Sequence, residues 1–365
     1  MSDKSKKLSK AKEAKNDEFY TQYEDIQKEV NAYLDFNPDV FRGKTVLLPC
    51  DDPEWSNFTK FFALNFDRFG LKKLISTSYA PQAKAKKYGS LELFSYAQEK
   101  NGDAPNNERG RIYVLTKKHN KSGNVNVDDL KWEYLKGDGD FRSEEVKALR
   151  NEADVIVTNP PFSIFLDFFD WLLKGKKKFL VLCNKGAVSY KEVFPHIRDN
   201  EIWAGRTEWA GGMWFETVDK DDVDKVIDGK AMKNVASVWL TNIEHGRRHQ
   251  ALQLMTMAGN IKHSSHKEVK NTGYLHYDNY DAIDIPHVDA IPSDYDGVMG
   301  VPISFLDKYC PEQFELIGIG TGENGRDLGV QKNYRGRTDL AITEKGKHRC
   351  PFTRILIRHK KIKAK

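Results

Sequence analysis

Long apolar runs are absent. No stretch approaches the roughly 18 unbroken apolar residues that a membrane helix needs, so a helical membrane protein is excluded and no membrane partner is expected. Cysteine is scarce. Cys50, Cys183, Cys310 and Cys350 are far apart and show neither metal-ligand nor disulfide spacing. No metal site is expected, since His245, His249, His263 and His266 form only a loose group that reads as surface loop. A cytoplasmic protein with reduced thiols is the simplest reading. Lysines stand at positions 4, 6, 7, 10, 12 and 15, but no apolar segment follows them, so the start is not a secretory signal.

Charge of one sign is also modest overall, a net +5, but it is unevenly spread. Lys332 to Lys365 holds twelve Lys or Arg against Asp339 and Glu344, a net of +10, and the first fifteen residues carry +4, which leaves −9 for the middle. A polyanion would be drawn to the ends and repelled by much of the body. The N-terminal run reads as a solvated tail. The C-terminal run is interleaved with Tyr334, Phe352 and Ile355-Leu356-Ile357, so it is expected to be folded and basic. Arg335, Arg337, Arg349 and Arg354 are its candidate contacts to a polyanion's phosphates.

From residue 40 to about 205, short β-rich apolar runs alternate with helical patterns, the signature of a parallel sheet wrapped by helices. Strands are expected at Thr45-Val46-Leu47-Leu48, Leu74 to Thr77, Trp132 to Leu135, Asp154 to Thr158 and Phe179 to Cys183. Weaker ones follow at Ile202 to Ala204 and Val238 to Thr241. Helices are expected over Asn57 to Phe69, with Phe58, Phe61, Phe62 and Phe66 on one side, and over Phe162 to Leu173. After about Glu244 the alternation fades, and a boundary is placed near residue 245. Residues 1–245 are then a sheet domain and 246–365 a polyanion-recognition region with a basic C-terminus.

The strand ending at Thr158 runs directly into Asn159-Pro160-Pro161-Phe162. In open α/β sheets, ligands bind at the carboxyl ends of strands. An adenine amine is a poor nucleophile because its lone pair is delocalised into the ring. Two acceptors gripping both N–H bonds favour a pyramidal nitrogen and direct that lone pair at an electrophile. The Asn159 side-chain oxygen and the Pro160 carbonyl can be those acceptors, on a turn that the prolines stiffen. Phe162 offers a face on which a purine can stack, worth about 1–3 kcal/mol. The plain alternative is a strand-to-helix turn with an N-terminal proline and a core phenylalanine.

Other segments support a nucleotide-like cofactor. Asp17-Glu18-Phe19-Tyr20-Thr21 precedes the first strand, with Tyr20 and Thr21 as candidate contacts, and resembles a Phe-Tyr-Thr-Pro element found in adenine methyltransferases. Asp138-Gly139-Asp140-Phe141 can offer the Asp140 carboxylate to an adenine amine and the Phe141 ring to its face. The glycine-rich loop expected after the first strand is missing. The chain reads Cys50-Asp51-Asp52-Pro53-Glu54-Trp55-Ser56-Asn57-Phe58, in which Asp51, Asp52, Pro53, Ser56 and Asn57 are the candidate cofactor contacts. No clear carboxylate follows the second strand for ribose hydroxyls.

Taken together these residues resemble the EcoRI modification methyltransferase family of adenine-N6 DNA methyltransferases. The segments that carry the resemblance include Asp17 to Ile26, Cys50 to Pro53, Gly137 to Ser143, Thr158 to Ser163, Tyr190 to Phe194, Trp239 to Asn242, Tyr277 to Ile283 and Gly297 to Phe305. The glycine-free loop is a trait of that family. The resemblance implies a Rossmann-like fold with S-adenosylmethionine as methyl donor. It also implies a flipped adenine in double-stranded DNA as substrate and a restriction–modification or phage modification role. No obligate protein partner is evident. The residues alone leave open an N6-adenine RNA methyltransferase, or a DNA-binding protein with a degenerate, cofactor-free pocket.

Overall fold

A computed structural model describes residues 20–80, 108–117, 131–217 and 223–360. Asp17, Glu18, Phe19, the N-terminal lysines and the last five residues lie outside the described residues. The chain divides into two compact units, one running to Lys185 and resuming over Gly205–His245, the other comprising Gly186–Ala204 and everything from Gly246. No helix among the described residues is long and apolar enough to cross a membrane.

The first unit opens with β1 (Tyr20–Thr21) and α1 (Tyr23–Phe36), then β2 (Thr45–Leu48), α2 (Asn57–Leu64) and β3 (Lys73–Ser78). Next come β4 (Arg111–Thr116), β5 (Glu133–Tyr134), α3 (Glu144–Glu152), β6 (Val155–Thr158), α4 (Phe165–Gly175) and β7 (Lys178–Asn184). After residue 205 it adds β8 (Met213–Glu216), β9 (Lys225–Ile227), β10 (Lys230–Val235) and β11 (Ser237–Thr241). Its main sheet has the order β5-β4-β3-β2-β6-β7-β11. Strands β3, β2, β6 and β7 are parallel, and the strands outside them pair antiparallel. The parallel strands are buried along almost their whole length, as is usual for strands at the centre of an α/β sheet. From β2 the chain moves to β3 on one side and later returns to β6 on the other. The neighbours β2 and β6, in register at Val46↔Val155 and Leu47↔Ile156, therefore flank the point where strand order reverses. Open α/β sheets bind their ligands there.

Helix α2 carries the aromatic face read from the sequence. Phe58, Phe61 and Phe62 are buried, joined by Phe66, Phe69 and Phe41, each burial being worth about 1.5–3 kcal/mol. The helix stops at Leu64 rather than Phe69, because Asn65 turns back through Nδ2 onto the Phe61 carbonyl at 2.9 Å. Phe66 and Phe69 then pack from a turn that ends at Gly70 with φ of 63°. Helix α4 likewise begins late. Pro161 is extended (φ −58°, ψ 122°), so a single 3-10 turn over Phe162–Ile164 precedes Phe165. Strand β4 was not anticipated, although its burial alternates along its length. Strands β1, β8, β10 and β9 form a second sheet, in that order.

The second unit contains β12 (Ile283–Asp284), β13 (Met299–Pro302), β14 (Phe314–Ile319), β15 (Ile342–Glu344), β16 (Lys347–Arg349) and β17 (Arg354–His359). Strand β17 runs antiparallel between β13 and β14, with Ile355, Leu356 and Ile357 fully buried. Strands β15 and β16 form a hairpin whose turn, Lys345-Gly346, has φ of 49° and 75°. Two positive φ values match the twist that a two-residue hairpin requires. Trp203–Ala204 is a two-residue strand, as its weak pattern indicated.

Candidate active site

The turn after β2 does without glycine because side chains build it. Asp52 Oδ1 accepts from the Glu54 N–H at 2.9 Å, and the Asp52 carbonyl accepts from the Ser56 N–H at 2.9 Å. No residue from Cys50 to Phe58 takes a positive φ. Pro53 sits inside this bonded turn, its ring fixing the local φ. Arg111, at the start of β4, donates to Glu54 at 2.9 Å and lies 3.7 Å from Asp52, with its guanidinium 4.3 Å over the Trp132 ring. Ser56 caps α2 by accepting from the Phe58 N–H at 3.0 Å.

Asp51 is buried, and its carboxylate is taken up by protein hydroxyls. Ser56 donates to Oδ1 at 2.8 Å and Thr158 to Oδ2 at 2.6 Å. Burial raises its pKa from 3.8 to about 7, against the opposing pull of those two hydrogen bonds. Its backbone is held as well, N–H to the Thr77 carbonyl at 3.0 Å and carbonyl to Ser76 Oγ at 2.5 Å.

Asn159 follows Thr158 and is half-buried, with Pro160 buried behind it. Its Nδ2 donates to Thr21 Oγ1 at 3.3 Å, while Asn57 Nδ2 donates to the Thr21 carbonyl at 2.8 Å. Strand β1, to which Tyr20 contributes backbone, is thus joined to both the turn after β2 and the turn after β6. Pro161 and Phe162 are half-buried, and Phe162 packs on the edge of the main core.

The Asp138–Phe141 corner is bonded to the end of β3. Ala80 N–H donates to the Asp138 carbonyl at 2.7 Å, and a Cβ on Gly139 (φ 79°) would lie 2.2 Å from the Ser78 carbonyl oxygen. Only glycine fits on both counts. Asp140 accepts from Arg142 at 2.7 and 2.9 Å. Phe141 departs from expectation. It is 4% exposed, with Phe168 and Trp171 edge-on at 5.3 and 5.8 Å and the Arg142 guanidinium 5.2 Å over its ring. The face expected to stack on a ligand is therefore already covered. Sequence reasoning passed over Arg111, Thr158 and Ser78. Ser78 Oγ, at the carboxyl end of β3, is buried without a hydrogen-bond partner among the described residues.

In the second unit, Arg335, Arg337 and Arg349 are exposed. Asn333 shapes their loop by accepting from the Arg335 and Arg337 N–H groups at 2.8 and 3.3 Å, and Tyr334 stacks on His348 at 5.2 Å. Arg354 corrects the expectation drawn from charge. It is 9% exposed and donates to Asp284 Oδ1 at 2.8 Å, where Tyr277 also donates at 2.7 Å. It holds the sheet together and is unavailable to a phosphate. His245 is likewise buried, edge-on to Tyr33 at 5.5 Å, rather than on a surface loop.

An open sheet with parallel central strands, carrying Asn-Pro-Pro-Phe beside its switch point, defines the Rossmann-like methyltransferase class. The chain belongs to the EcoRI adenine-specific methyltransferase family, whose model matches residues 7–360. It is 39% identical over 364 residues to the type II methyltransferase M.EcoRI of Escherichia coli, covering 98% of this chain and 97% of that protein. It is 34% identical over 317 residues to M.MpnI of Mycoplasma pneumoniae, covering 85% and 84%. To M.MgeORF184P of Mycoplasma genitalium it is 33% identical over 317 residues, covering 85% of each chain. No solved structure matches.

Proposed function

We propose that the chain methylates N6 of an adenine turned out of duplex DNA, with S-adenosylmethionine as donor, in a bacterial or phage modification system. The observation that carries this reading is the Asn159–Phe162 turn at the switch point, with the Asn159 amide tied to Thr21. With its nitrogen donating to Thr21, the amide is held in one orientation, which fixes where the accepting Oδ1 lies. Asn159 Oδ1 and the Pro160 carbonyl accept the two amine hydrogens, and Phe162 stacks on the purine. Acceptors of this kind act most strongly as the nitrogen pyramidalises, so they favour the transition state over the ground state. The methylated amine loses its extra proton readily, and no general base is assigned. Turning the base out costs a few kcal/mol of stacking and pairing.

The residues around the switch point fit the cofactor. The end of β3 is bonded both to the turn after β2 and to the Asp138 corner, and the buried Ser78 hydroxyl lies there. Asp52, Pro53, Ser56 and Asn57, with Thr21 and the Tyr20 backbone, are assigned to the cofactor, Asp140 to its adenine end, and Phe141 to bracing that corner from the core. Bound there, the cofactor supplies a methyl group made electrophilic by a sulfonium centre. DNA contacts come from the exposed Arg335, Arg337 and Arg349, whose charge gives affinity and register.

Methyl transfer from labelled S-adenosylmethionine to duplex DNA, in competition with RNA of the same sequence, tests the reading. Label in DNA adenine supports it. Label confined to RNA would make the chain an RNA methyltransferase, and no cofactor binding at millimolar concentration would leave a DNA-binding protein.

A further inference from the structure

We infer that Asp51 is a positioning residue that couples the cofactor turn to the catalytic tetrapeptide. The inference rests on the assignment of Asn159 as catalytic. A closed circuit of hydrogen bonds and chain carries it. From Asp51, Ser56 donates at 2.8 Å; the adjacent Asn57 donates to the Thr21 carbonyl at 2.8 Å; Asn159 donates to Thr21 Oγ1 at 3.3 Å; and Thr158, adjacent to Asn159, donates back to Asp51 at 2.6 Å. Three separate stretches of sequence meet in this circuit, and within it Asp51 is the residue that joins the turn after β2 to the end of β6.

The chemistry of the bridge favours a carboxylate. Both hydroxyls donate, so the bridging group must accept at two places at once, and a carboxylate does so without restriction once ionised, above its pKa of about 7. An amide in its place offers one acceptor and one donor, so one hydroxyl must turn round. Burial strengthens the consequence, since a hydrogen bond lost at a buried site is not replaced by water. The Thr158 end of the bridge governs the backbone that leads into Asn159. The Ser56 end governs the turn assigned to the cofactor. A shift of about 1 Å at a reacting group can cost on the order of a hundredfold in rate.

The test is a double-mutant cycle on methyl transfer to duplex DNA, with cofactor affinity measured separately by titration. Thr158→Val should lower kcat about tenfold and leave the Kd for S-adenosylmethionine within about twofold, and Thr158→Ser, which keeps the hydroxyl, should restore the rate. Ser56→Ala should weaken cofactor binding more than it lowers kcat. In an Asp51→Asn background, Thr158→Val should cost little more, because the bridge is already broken. Should Asp51→Asn not fold, Ser56→Ala with Thr158→Val closes an equivalent cycle, in which the double loss exceeds neither loss by its full partner. Independent, additive losses, or a Thr158→Val enzyme with normal kcat, would overturn the inference. Asn159→Ala in the same assay separates the two levels: normal turnover there removes the catalytic assignment and this inference with it, whereas a dead Asn159→Ala beside normal Thr158→Val removes only the bridge.

Discussion

Asn159 donates from Nδ2 to Thr21 Oγ1 at 3.3 Å, joining residues 138 apart in the chain. Through that bond the two-residue strand β1 fixes the orientation of the amide, and so the position of its accepting oxygen. Asn159→Ala is expected to lower kcat on the order of 10²–10³-fold, as loss of one oriented polar group at a reacting centre does, while DNA affinity stays within about twofold. Thr21→Val should lower kcat less, about tenfold, by releasing the amide to rotate. Steady-state kinetics beside a DNA-binding isotherm checks both.

Asp51 should give stability a pH dependence of unusual sign. Its folded pKa, raised to about 7 by burial, exceeds its ordinary 3.8. The folded state therefore keeps the proton longer than the unfolded chain. The contribution is fully present below about pH 4 and is lost as pH rises through 7, by roughly 4 kcal/mol in all. Asp51→Asn removes this slope. Urea unfolding at pH 5 and pH 8 should show the variant gaining on the wild type as pH rises, and parallel curves would contradict it.

The four C-terminal arginines should separate by burial. Arg354→Ala breaks a buried pair with Asp284 and leaves that carboxylate uncompensated, which costs about 3–5 kcal/mol of stability. Arg335→Ala, Arg337→Ala and Arg349→Ala should leave stability within about 0.5 kcal/mol. Each that contacts a phosphate should reduce the salt slope of DNA binding by about one. Thermal unfolding together with affinity against salt makes the distinction.

Asp140 and Phe141 should also part company. Asp140→Asn is expected to weaken S-adenosylmethionine binding about tenfold with DNA affinity unchanged, because the carboxylate is half-buried at the corner. Phe141→Ala should instead act mainly on stability, by about 3–5 kcal/mol, as truncation of a buried phenylalanine does. Cofactor titration and unfolding of each variant distinguish the two.

Much of the fold was legible because its signals are local. Val155 to Val157 and Phe179 to Cys183 are unbroken apolar runs, and the phenylalanines of α2 keep helical period. That same period carried the reading past Asn65, because Phe66 and Phe69 continue it after the helix has ended. The Asn-Pro-Pro-Phe turn was legible for the same reason: it is contiguous. The Asp51–Thr158 bond spans 107 residues and leaves no pattern in either neighbourhood. Arg354 misled for a related reason. A count of charges treats every arginine as solvated, and only the sheet brings Asp284, 70 residues away, against it.

The central claim is methyl transfer to adenine N6 in duplex DNA through Asn159. Its most direct test is mass spectrometry of nucleosides from duplex DNA incubated with the protein and S-adenosylmethionine carrying a labelled methyl group. The account predicts labelled N6-methyldeoxyadenosine with the wild-type chain, and its loss with Asn159→Ala although that variant still binds DNA. Label on cytosine, or equal N6 methylation by the Asn159→Ala chain, would contradict it.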